Sequence, residues 1–219
     1  MKKTISIFGS TGTIGQNAVA VILQNSEKFQ VEVLVANKNY DSLAQQAKIL
    51  QPKYIAIRDG SLLWNLQDLL VDYPKIKIFS GIEAINDLAK IKCDIFLSAI
   101  VGIDALIPTF NAIKSGSNIG LANKECLVAA GEIMLQEAKK YNVKIIPIDS
   151  EHNAIFQIFE KDNFDLIDDI TLTASGGSFL NYDKKQLENV TLEQAIKHPN
   201  WHMGAKISVD SSTMMNKAL

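Results

Sequence analysis

A glycine-rich turn near the amino terminus constrains this chain more than any other feature. Gly9, Gly12 and Gly15 lie in the segment GSTGTIG, after an apolar run at residues 4–8 and before an apolar-periodic segment that begins at Ile14. Glycine lets the backbone turn tightly and approach a diphosphate closely, and the free N–H groups of a following helix attract phosphate. The sequence therefore predicts a dinucleotide-binding strand–turn–helix unit. The alternative is a glycine-rich turn without a ligand.

The end of the second predicted strand indicates which dinucleotide is bound. Proteins that bind NAD usually carry an acidic residue about 20 residues after the glycines, where it holds the ribose 2′-hydroxyl. Here that place reads Asn37, Lys38 and Asn39. A positive charge and two amides suit a 2′-phosphate, so the sequence favours NADP(H). An ordinary polar turn after a strand is the alternative.

Strands and helices alternate through the first two thirds of the chain. Apolar runs predict strands at residues 4–8, 31–36, 54–58, 75–79, 94–99, 118–122 and 143–148. Apolar periodicity predicts helices at residues 14–24, 41–50, 62–71, 82–89, 103–114 and 125–141. This alternation predicts an α/β protein with a Rossmann-like, doubly wound, mostly parallel sheet, whose ligands gather at the carboxyl ends of the strands. One further strand is predicted at residues 169–173.

Composition excludes several classes of partner. The chain has 219 residues and a formal net charge of -2, which argues against binding nucleic acid. The apolar run after Met1 stops at Gly9, so no signal peptide is expected, and no apolar stretch reaches membrane-spanning length. Two cysteines, Cys93 and Cys126, suit a reducing compartment. We therefore expect a cytoplasmic protein with a small-molecule substrate.

Two acidic residues follow the strand predicted at residues 143–148. Asp149 and Glu151 are two apart, so in an extended chain their carboxylates would point to the same side. Paired carboxylates without a cysteine or histidine cluster suit an oxygen-preferring cation, Mg²⁺ or Mn²⁺. The alternative is a pair of solvated acids in a loop.

The last third of the chain also contains candidate anion-binding groups. Ser175 begins a Ser-Gly-Gly turn, whose backbone N–H groups can form an anion-binding nest. Residues 206–217 read as a loop that enters a helix capped by Ser211 or Ser212. Ser211, Asn216 and Lys217 would bring together donors for a phosphate monoester. A plain turn and an ordinary capped helix are the alternatives.

Seven motifs resemble one known family when they are taken together and in order. They are GSTGTIG, ANKN, LANKE, PIDSEHNAIFQ, TASGGSF, HPNW and KISVDSSTMMNK. They resemble the 1-deoxy-D-xylulose 5-phosphate reductoisomerase family over essentially the whole chain. The resemblance implies NADPH- and Mg²⁺- or Mn²⁺-dependent conversion of 1-deoxy-D-xylulose 5-phosphate to 2-C-methyl-D-erythritol 4-phosphate, a committed step of non-mevalonate isoprenoid synthesis.

The resemblance also implies roles for individual residues. It implies cofactor contacts by Thr11, Gly12, Thr13, Ile14, Lys38, Asn39, Asn123 and Glu125. It implies substrate or phosphate contacts by Lys124, Ser150, Glu151, Ser175, His198, Ser211, Asn216 and Lys217. Lys124, Asp149 and Glu151 would be the catalytic residues, and Asp149 and Glu151 the metal ligands. Trp201 and Met203 would belong to a flexible lid that closes over the substrate.

The same resemblance predicts how the chain is divided. Residues 1–148 would form the NADPH-binding domain, and residues 149–219 the beginning of an α+β catalytic domain that binds metal and substrate. In the family, a third metal-binding glutamate follows the position of Leu219, and the complete protein usually forms a homodimer. We therefore expect an amino-terminal portion of the enzyme.

Two alternative functions are open at this point. One is a cofactor-binding module without turnover, because part of the metal site would be missing. The other is a different NADP-dependent oxidoreductase, such as a relative of the semialdehyde dehydrogenases. That reading needs a nucleophilic cysteine in the second domain, and neither Cys93 nor Cys126 lies there.

Overall fold

The computed structural model describes residues 1–159, 161–199 and 204–218. Within them the chain divides into two compact units, unit 1 (Met1–Ile148) and unit 2 (Asp149–Leu219). The lid residues Trp201 and Met203 lie outside the described residues. Among the described residues, no helix is both long and apolar enough to cross a membrane.

Unit 1 contains a parallel sheet with helices on both faces. Its strands are β1 (Lys3–Phe8), β2 (Phe29–Ala36), β3 (Tyr54–Ile57), β4 (Lys77–Ser80), β5 (Ile95–Ser98), β6 (Asn118–Leu121) and β7 (Ile145–Pro147). Its helices are α1 (Thr13–Gln24), α2 (Tyr40–Leu50), α3 (Leu63–Leu69), α4 (Ile82–Leu88), α5 (Leu106–Lys114) and α6 (Glu125–Lys140). In the described chain these seven strands form one sheet in the order β4-β3-β2-β1-β5-β6-β7. Every neighbouring pair is parallel, which confirms the predicted doubly wound, Rossmann-like sheet.

The two faces of the sheet bury different sets of apolar side chains. Ile7 and Leu34 pack on the face that carries α1, α2 and α3, whereas Phe8 and Val35 pack on the face that carries α4, α5 and α6. Successive side chains of a strand point to opposite faces, so central strands buried on both sides are mostly apolar. This explains why the second strand is recognisable in the sequence as an almost continuous apolar run. Ser6, Glu32 and Ser98 on these strands are buried as well, although they are polar or charged.

The order of the strands fixes where a ligand can enter. β1 has β2 on one side and β5 on the other, so the chain changes direction across the sheet at β1. The loops that leave neighbouring strands diverge at such a switch point and open a crevice at the carboxyl ends. The glycine-rich turn follows β1 and therefore lies at this crevice.

Unit 2 is helical and irregular in its described part. Its helices are α7 (Ser150–Ile158), α8 (Lys184–Leu187), α9 (Leu192–Ala195), α10 (Ala205–Ser212) and α11 (Met215–Ala218). The strand predicted at residues 169–173 is wrong: these residues are exposed and have no regular structure. A strand needs a neighbour to pair its backbone groups, and the described residues provide none for this segment.

Two local predictions in unit 2 are also wrong. Ser211 and Ser212 do not cap the start of a helix; they are the last two residues of α10, which begins after Gly204. Asp149 and Glu151 do not lie on an extended chain, because Asp149 is the N-cap of α7 and Glu151 lies in its first turn. In both cases the chain becomes helical earlier than the local residue pattern predicts.

Candidate cofactor cleft and carboxylate pair

A cleft of about 290 Å³ opens at the carboxyl ends of the strands of unit 1. Its lining comes from the turns after β1, β2, β3 and β5 and from α4. The lining residues are Gly9, Thr11, Gly12, Val35, Ala36, Asn37, Asn39, Arg58, Ile82, Ile85, Ala99, Ile100, Val101 and Asp104. Thr11, Gly12 and Asn39 are among the predicted cofactor residues. The predicted residues Thr13 and Ile14 are exposed at the start of α1, and Lys38 is exposed between Asn37 and Asn39.

The three glycines of the turn differ in why the position requires or tolerates glycine. Gly9 has a φ of +98°, and a Cβ on it would lie 2.4 Å from the carbonyl oxygen of Ala99. A Cβ on Gly15 would lie 2.2 Å from the carbonyl oxygen of Gly9, so Gly15 lets α1 pack against the turn. A Cβ on Gly12 would meet nothing closer than 3.5 Å. Gly9 and Gly12 both line the cleft, but packing within unit 1 requires a glycine only at Gly9 and Gly15.

The start of α1 is suited to an anion. Gly12 is its N-cap, and among the described residues no side chain caps its first turn. The N–H groups of the first turn of a helix lack partners within the helix and carry its positive dipole end. A hydrogen bond from α2 also anchors the turn before α1: Gln46 Nε2 donates to the carbonyl oxygen of Ser10 at 2.9 Å. This arrangement fits a diphosphate.

The turn after β2 completes the other end of the cleft. The side chain of Asn39 caps α2 by accepting from Ser42 N at 3.0 Å, so its position is fixed. Lys38 is exposed beside it, and no carboxylate stands at residues 37–39. Lys38, Asn37 and Asn39 are therefore present where the second ribose of a dinucleotide is recognised.

Arg58 and Asp104 also line the cleft, although neither is among the residues predicted from the sequence. Arg58 Nη1 donates to Asp104 Oδ2, which joins the segment after β3 to the segment after β5. Both side chains are about half exposed. A signal existed in the sequence, because Arg58 is the only arginine among the chain's 22 lysine and arginine residues and it ends a predicted strand.

The segment after β6 contains three predicted residues. Asn123 is buried, and its Nδ2 donates to the carbonyls of Ile100 at 2.6 Å and Gly102 at 2.7 Å. Its Oδ1 accepts from Cys126 N at 3.0 Å. Asn123 therefore fixes one wall of the cleft to the start of α6. Lys124 is the N-cap of α6, and Glu125 lies in its first turn.

The cysteines do not have the environment of a nucleophile. Cys93 and Cys126 are both free and buried. Burial, with a smaller contribution from the charge of Glu125, raises the pKa of Cys126 to about 11. Burial also raises the pKa of Cys93. A reactive cysteine needs a thiolate at neutral pH, so the structure does not favour covalent catalysis by either residue.

Two carboxylates converge in unit 2 around one ammonium group. Lys217 Nζ lies 3.1 Å from Asp149 Oδ1 and also donates to Glu151 Oε2. Lys217 is only 10% exposed. Ser150 Oγ donates to Glu151 Oε2 at 2.6 Å, and His152 Nδ1 lies 2.9 Å from Asp149 Oδ1. The predicted convergence of the two carboxylates is therefore present, although helix capping produces it instead of strand alternation.

Lys217 and Ser150 lower the pKa of Glu151. Burial alone would raise the pKa of Glu151, but hydrogen bonds from Lys217 and Ser150 and the charge of Lys217 hold that pKa below its usual value. Lys217 Nζ is a cation held by two carboxylates, and it marks a place where positive charge is stable. Mg²⁺ is commonly held by one or two carboxylates together with water and substrate oxygens, so this donor set fits it. No group of three or more acidic, histidine or cysteine side chains suited to a metal occurs in the described chain.

A second polar cluster in unit 2 joins three predicted substrate residues. Ser175 Oγ lies 3.3 Å from His198 Nε2 and 3.5 Å from Ser211 Oγ. His198 and Ser211 are buried. Gly177 has a φ of +64°, and a Cβ on it would lie 2.5 Å from the carbonyl oxygen of Ser211, so the glycine turn packs against the end of α10. Asn216 lies on α11 next to Lys217 and is partly buried.

Family models match most of the chain. Residues 5–131 match the model described as 1-deoxy-D-xylulose 5-phosphate reductoisomerase. Residues 145–219 match the model described as the C-terminal domain of 1-deoxy-D-xylulose 5-phosphate reductoisomerase.

Curated relatives and solved structures carry the same name. A reductoisomerase of Wolbachia pipientis subsp. Culex pipiens is 49% identical, over 99% of this chain and 55% of its own. One of Phocaeicola vulgatus is 45% identical, over 99% of this chain and 56% of its own. The Zymomonas mobilis enzyme in complex with NADPH superposes with a TM-score of 0.90 at 38% identity, covering 99% of this chain and 56% of that one. A reductoisomerase in complex with NADPH, fosmidomycin and magnesium superposes with a TM-score of 0.89 at 38% identity, covering 98% of this chain and 55% of that one. The chain thus spans about half the length of the relatives it matches.

Proposed function

Since the chain belongs to the 1-deoxy-D-xylulose 5-phosphate reductoisomerase family, we propose that it supplies the NADPH-binding domain and the carboxylate pair of such an enzyme. The reaction is the NADPH-dependent conversion of 1-deoxy-D-xylulose 5-phosphate to 2-C-methyl-D-erythritol 4-phosphate. The observation that carries the proposal is the cleft at the switch point of the sheet, lined by the glycine turn and by a β2 end without a carboxylate.

Unit 1 would bind and orient the cofactor. Thr11, Gly12, Thr13 and Ile14 would surround the diphosphate at the start of α1, and Lys38 and Asn39 would bind the 2′-phosphate. Asn123 would act mainly by holding the wall of the cleft, with Glu125 at the first turn of α6 and Lys124 at its N-cap. By resemblance, Lys124 would contact the substrate near the nicotinamide.

Unit 2 would hold the metal and the substrate. Asp149 and Glu151 would hold Mg²⁺ or Mn²⁺, which when bound polarises substrate oxygens and stabilises developing negative charge. Ser150 positions the Glu151 carboxylate through its hydrogen bond. Ser175, His198, Ser211 and Asn216 would bind substrate and its phosphate through their donor groups. Lys217 would bind the substrate or its phosphate, as the family resemblance implies. Trp201 and Met203 would belong to the lid, as the family resemblance implies.

Three broader expectations belong to this proposal. The complete protein would be a cytoplasmic homodimer, and it would have no nucleic-acid partner. Two free, buried cysteines suit a reducing compartment, and a net charge of -2 offers little attraction to nucleic acid.

The test is a Glu151→Gln variant, with Glu193→Gln as its matched control. Both glutamates lie in the first turn of a short helix of unit 2, but Glu193 is exposed and has no lysine partner in the described structure. NADPH oxidation is followed after adding 1-deoxy-D-xylulose 5-phosphate and Mn²⁺. The assay uses this chain alone and this chain joined to the remaining length of the Wolbachia relative.

We expect turnover in the joined protein, its loss in Glu151→Gln, and no change in Glu193→Gln. NADPH binding should be nearly the same in all three. A folded joined protein that binds NADPH without turnover would contradict the assigned reaction. Loss of NADPH binding in Glu151→Gln would contradict the metal assignment. Turnover in the joined protein but not in this chain alone would agree with a cofactor-binding portion.

A further inference from the structure

Arg58 is chemically unusual in this chain. The sequence uses lysine at every other cationic position, and its single arginine lines the cofactor cleft. Lysine is a compact point charge, whereas the planar guanidinium presents five donors in a fork that matches phosphate oxygens. The one place where the chain uses a guanidinium is therefore a place where an anionic ligand is expected.

The backbone places Arg58 beside the residues that read the second ribose. Arg58 N donates to the carbonyl of Ala36 at 2.9 Å, and Asp59 N donates to the carbonyl of Asn37 at 3.0 Å. The parallel hydrogen bonding between β2 and β3 thus continues past the ends of both strands, to Asn37 and Asp59. Asn37, Asn39 and Arg58 line the same cleft. In dinucleotide-binding domains, an arginine near the end of the second strand can accommodate a 2′-phosphate.

Asp104 fixes the direction of the guanidinium and leaves donors available. It accepts from Nη1 of Arg58, and it stands in the segment after β5 on the opposite side of the cleft. An arginine has donors on Nε and Nη2 besides those on Nη1. Side-chain exposures of 41% for Arg58 and 45% for Asp104 show that solvent reaches the pair. An ion pair this exposed adds little stability, at most about 1 kcal/mol.

We infer that Arg58 is a cofactor-specificity residue: it donates to the 2′-phosphate of NADPH, and Asp104 positions its guanidinium across the cleft. This deepens the proposed function and rests on it, because it presumes that the cleft binds a dinucleotide. Arg58 and Lys38 would then bind the phosphate from two neighbouring strand ends. NADH, which has a hydroxyl in that place, would gain nothing from Arg58.

The experiment measures dissociation constants of NADPH and NADH for wild type, Arg58→Gln, Arg58→Lys and Lys90→Gln. Fluorescence of the reduced nicotinamide reports binding, and thermal melts report folding. Lys90→Gln is the matched control, since Lys90 is also in an exposed ion pair of unit 1 (2.6 Å from Asp87) but does not line the cleft. We expect Arg58→Gln to weaken NADPH binding at least about tenfold, as for the loss of a hydrogen bond to a charged group. NADH binding should change less than about threefold.

The possible results distinguish a failure of the role inferred for Arg58 from a failure of the proposed NADPH-binding function. Arg58→Lys should recover part of the NADPH affinity, and Lys90→Gln should match wild type for both nucleotides. If Arg58→Gln is folded and keeps the wild-type ratio of NADPH to NADH affinity, the inference is overturned. An equal loss for both nucleotides would overturn it too, because Arg58 would then contact a part common to both. A folded wild type that binds neither nucleotide would contradict the proposed function itself.

Discussion

Among single residues, the glycines of the turn differ in whether backbone packing requires them. Gly9 and Gly15 leave no room for a Cβ because backbone atoms lie within 2.4 and 2.2 Å. Gly12 has room, and a φ of -78° that any residue can adopt. All three positions are glycine in the sequence, which predicts the turn but does not show which of the glycines the packing requires.

This difference predicts opposite phenotypes for two alanine variants. Gly15→Ala should lower the free energy of unfolding by about 1–3 kcal/mol, because it forces a methyl group into backbone. Gly12→Ala should change stability by less than about 0.5 kcal/mol but weaken NADPH binding, because the methyl group occupies the surface that approaches the diphosphate. Urea unfolding and NADPH titration of both variants provide the measurement. Equal destabilisation by the two substitutions would show that the turn has a different packing.

At the scale of elements, unit 1 was predictable and unit 2 was not. The strands of unit 1 are apolar runs, and most of them pair with the strand next along the chain; the exception is the β1–β5 pair at the switch point. In unit 2, residues 169–173 form a short apolar and β-branched run, which resembles a strand, but the described structure gives it no partner. Helix α10 begins after Gly204, which has no side chain to cap it, so its start is only weakly marked in the sequence. The hydroxyls of Ser211 and Ser212 resemble an N-cap but lie at the other end of this helix.

The candidate site followed the same division. The resemblance named residues of the glycine turn, the β2 turn and the carboxylate pair. The two turns line one cleft in unit 1, and the two carboxylates meet at Lys217 in unit 2. The resemblance did not name Arg58 or Asp104. Their ion pair joins the segments after β3 and β5, and this proximity depends on the order of the strands in the sheet, which the local sequence does not show. Nor does a local pattern show that Lys217 on α11 meets the carboxylates at the start of α7, since 66 residues separate it from Glu151.

The start of α7 makes a prediction about the two roles of Asp149. Its Oδ1 caps the helix by accepting from Glu151 N at 3.2 Å and His152 N at 3.3 Å. Asparagine caps a helix as well as aspartate, whereas alanine costs about 0.5–2 kcal/mol. Asp149→Asn should therefore keep the cap but lose affinity for Mn²⁺, and Asp149→Ala should lose both. Urea unfolding and electron paramagnetic resonance of Mn²⁺ distinguish them; unchanged Mn²⁺ affinity in both variants would exclude Asp149 as a ligand.

At the scale of the whole molecule, each unit carries its own part of the candidate site. Every residue that lines the cofactor cleft belongs to unit 1, and the carboxylate pair with its lysine belongs to unit 2. Unit 1 also has both apolar clusters of the sheet within its own residues. Nothing in the cleft described here draws on a side chain after Ile148.

We therefore expect residues 1–148 to fold and to bind NADPH without the rest of the chain. Circular dichroism should show a cooperative thermal transition, because both faces of the sheet are already covered by helices. NADPH affinity should lie within about tenfold of that of the 219-residue chain. A polypeptide that folds but fails to bind would mean that unit 2 supplies an essential cofactor contact.

If the cleft at the carboxyl ends of the strands is the NADPH site, the cofactor should protect the backbone amides that line it. Hydrogen–deuterium exchange of the 219-residue chain, with saturating NADPH and without it, measures this protection. We expect NADPH to slow exchange in the turn after β1, at residues 37–39 and at residues 58–59, and NADH to protect the last two regions less. Unchanged exchange in these three segments, or protection confined to other parts of unit 1, would contradict it.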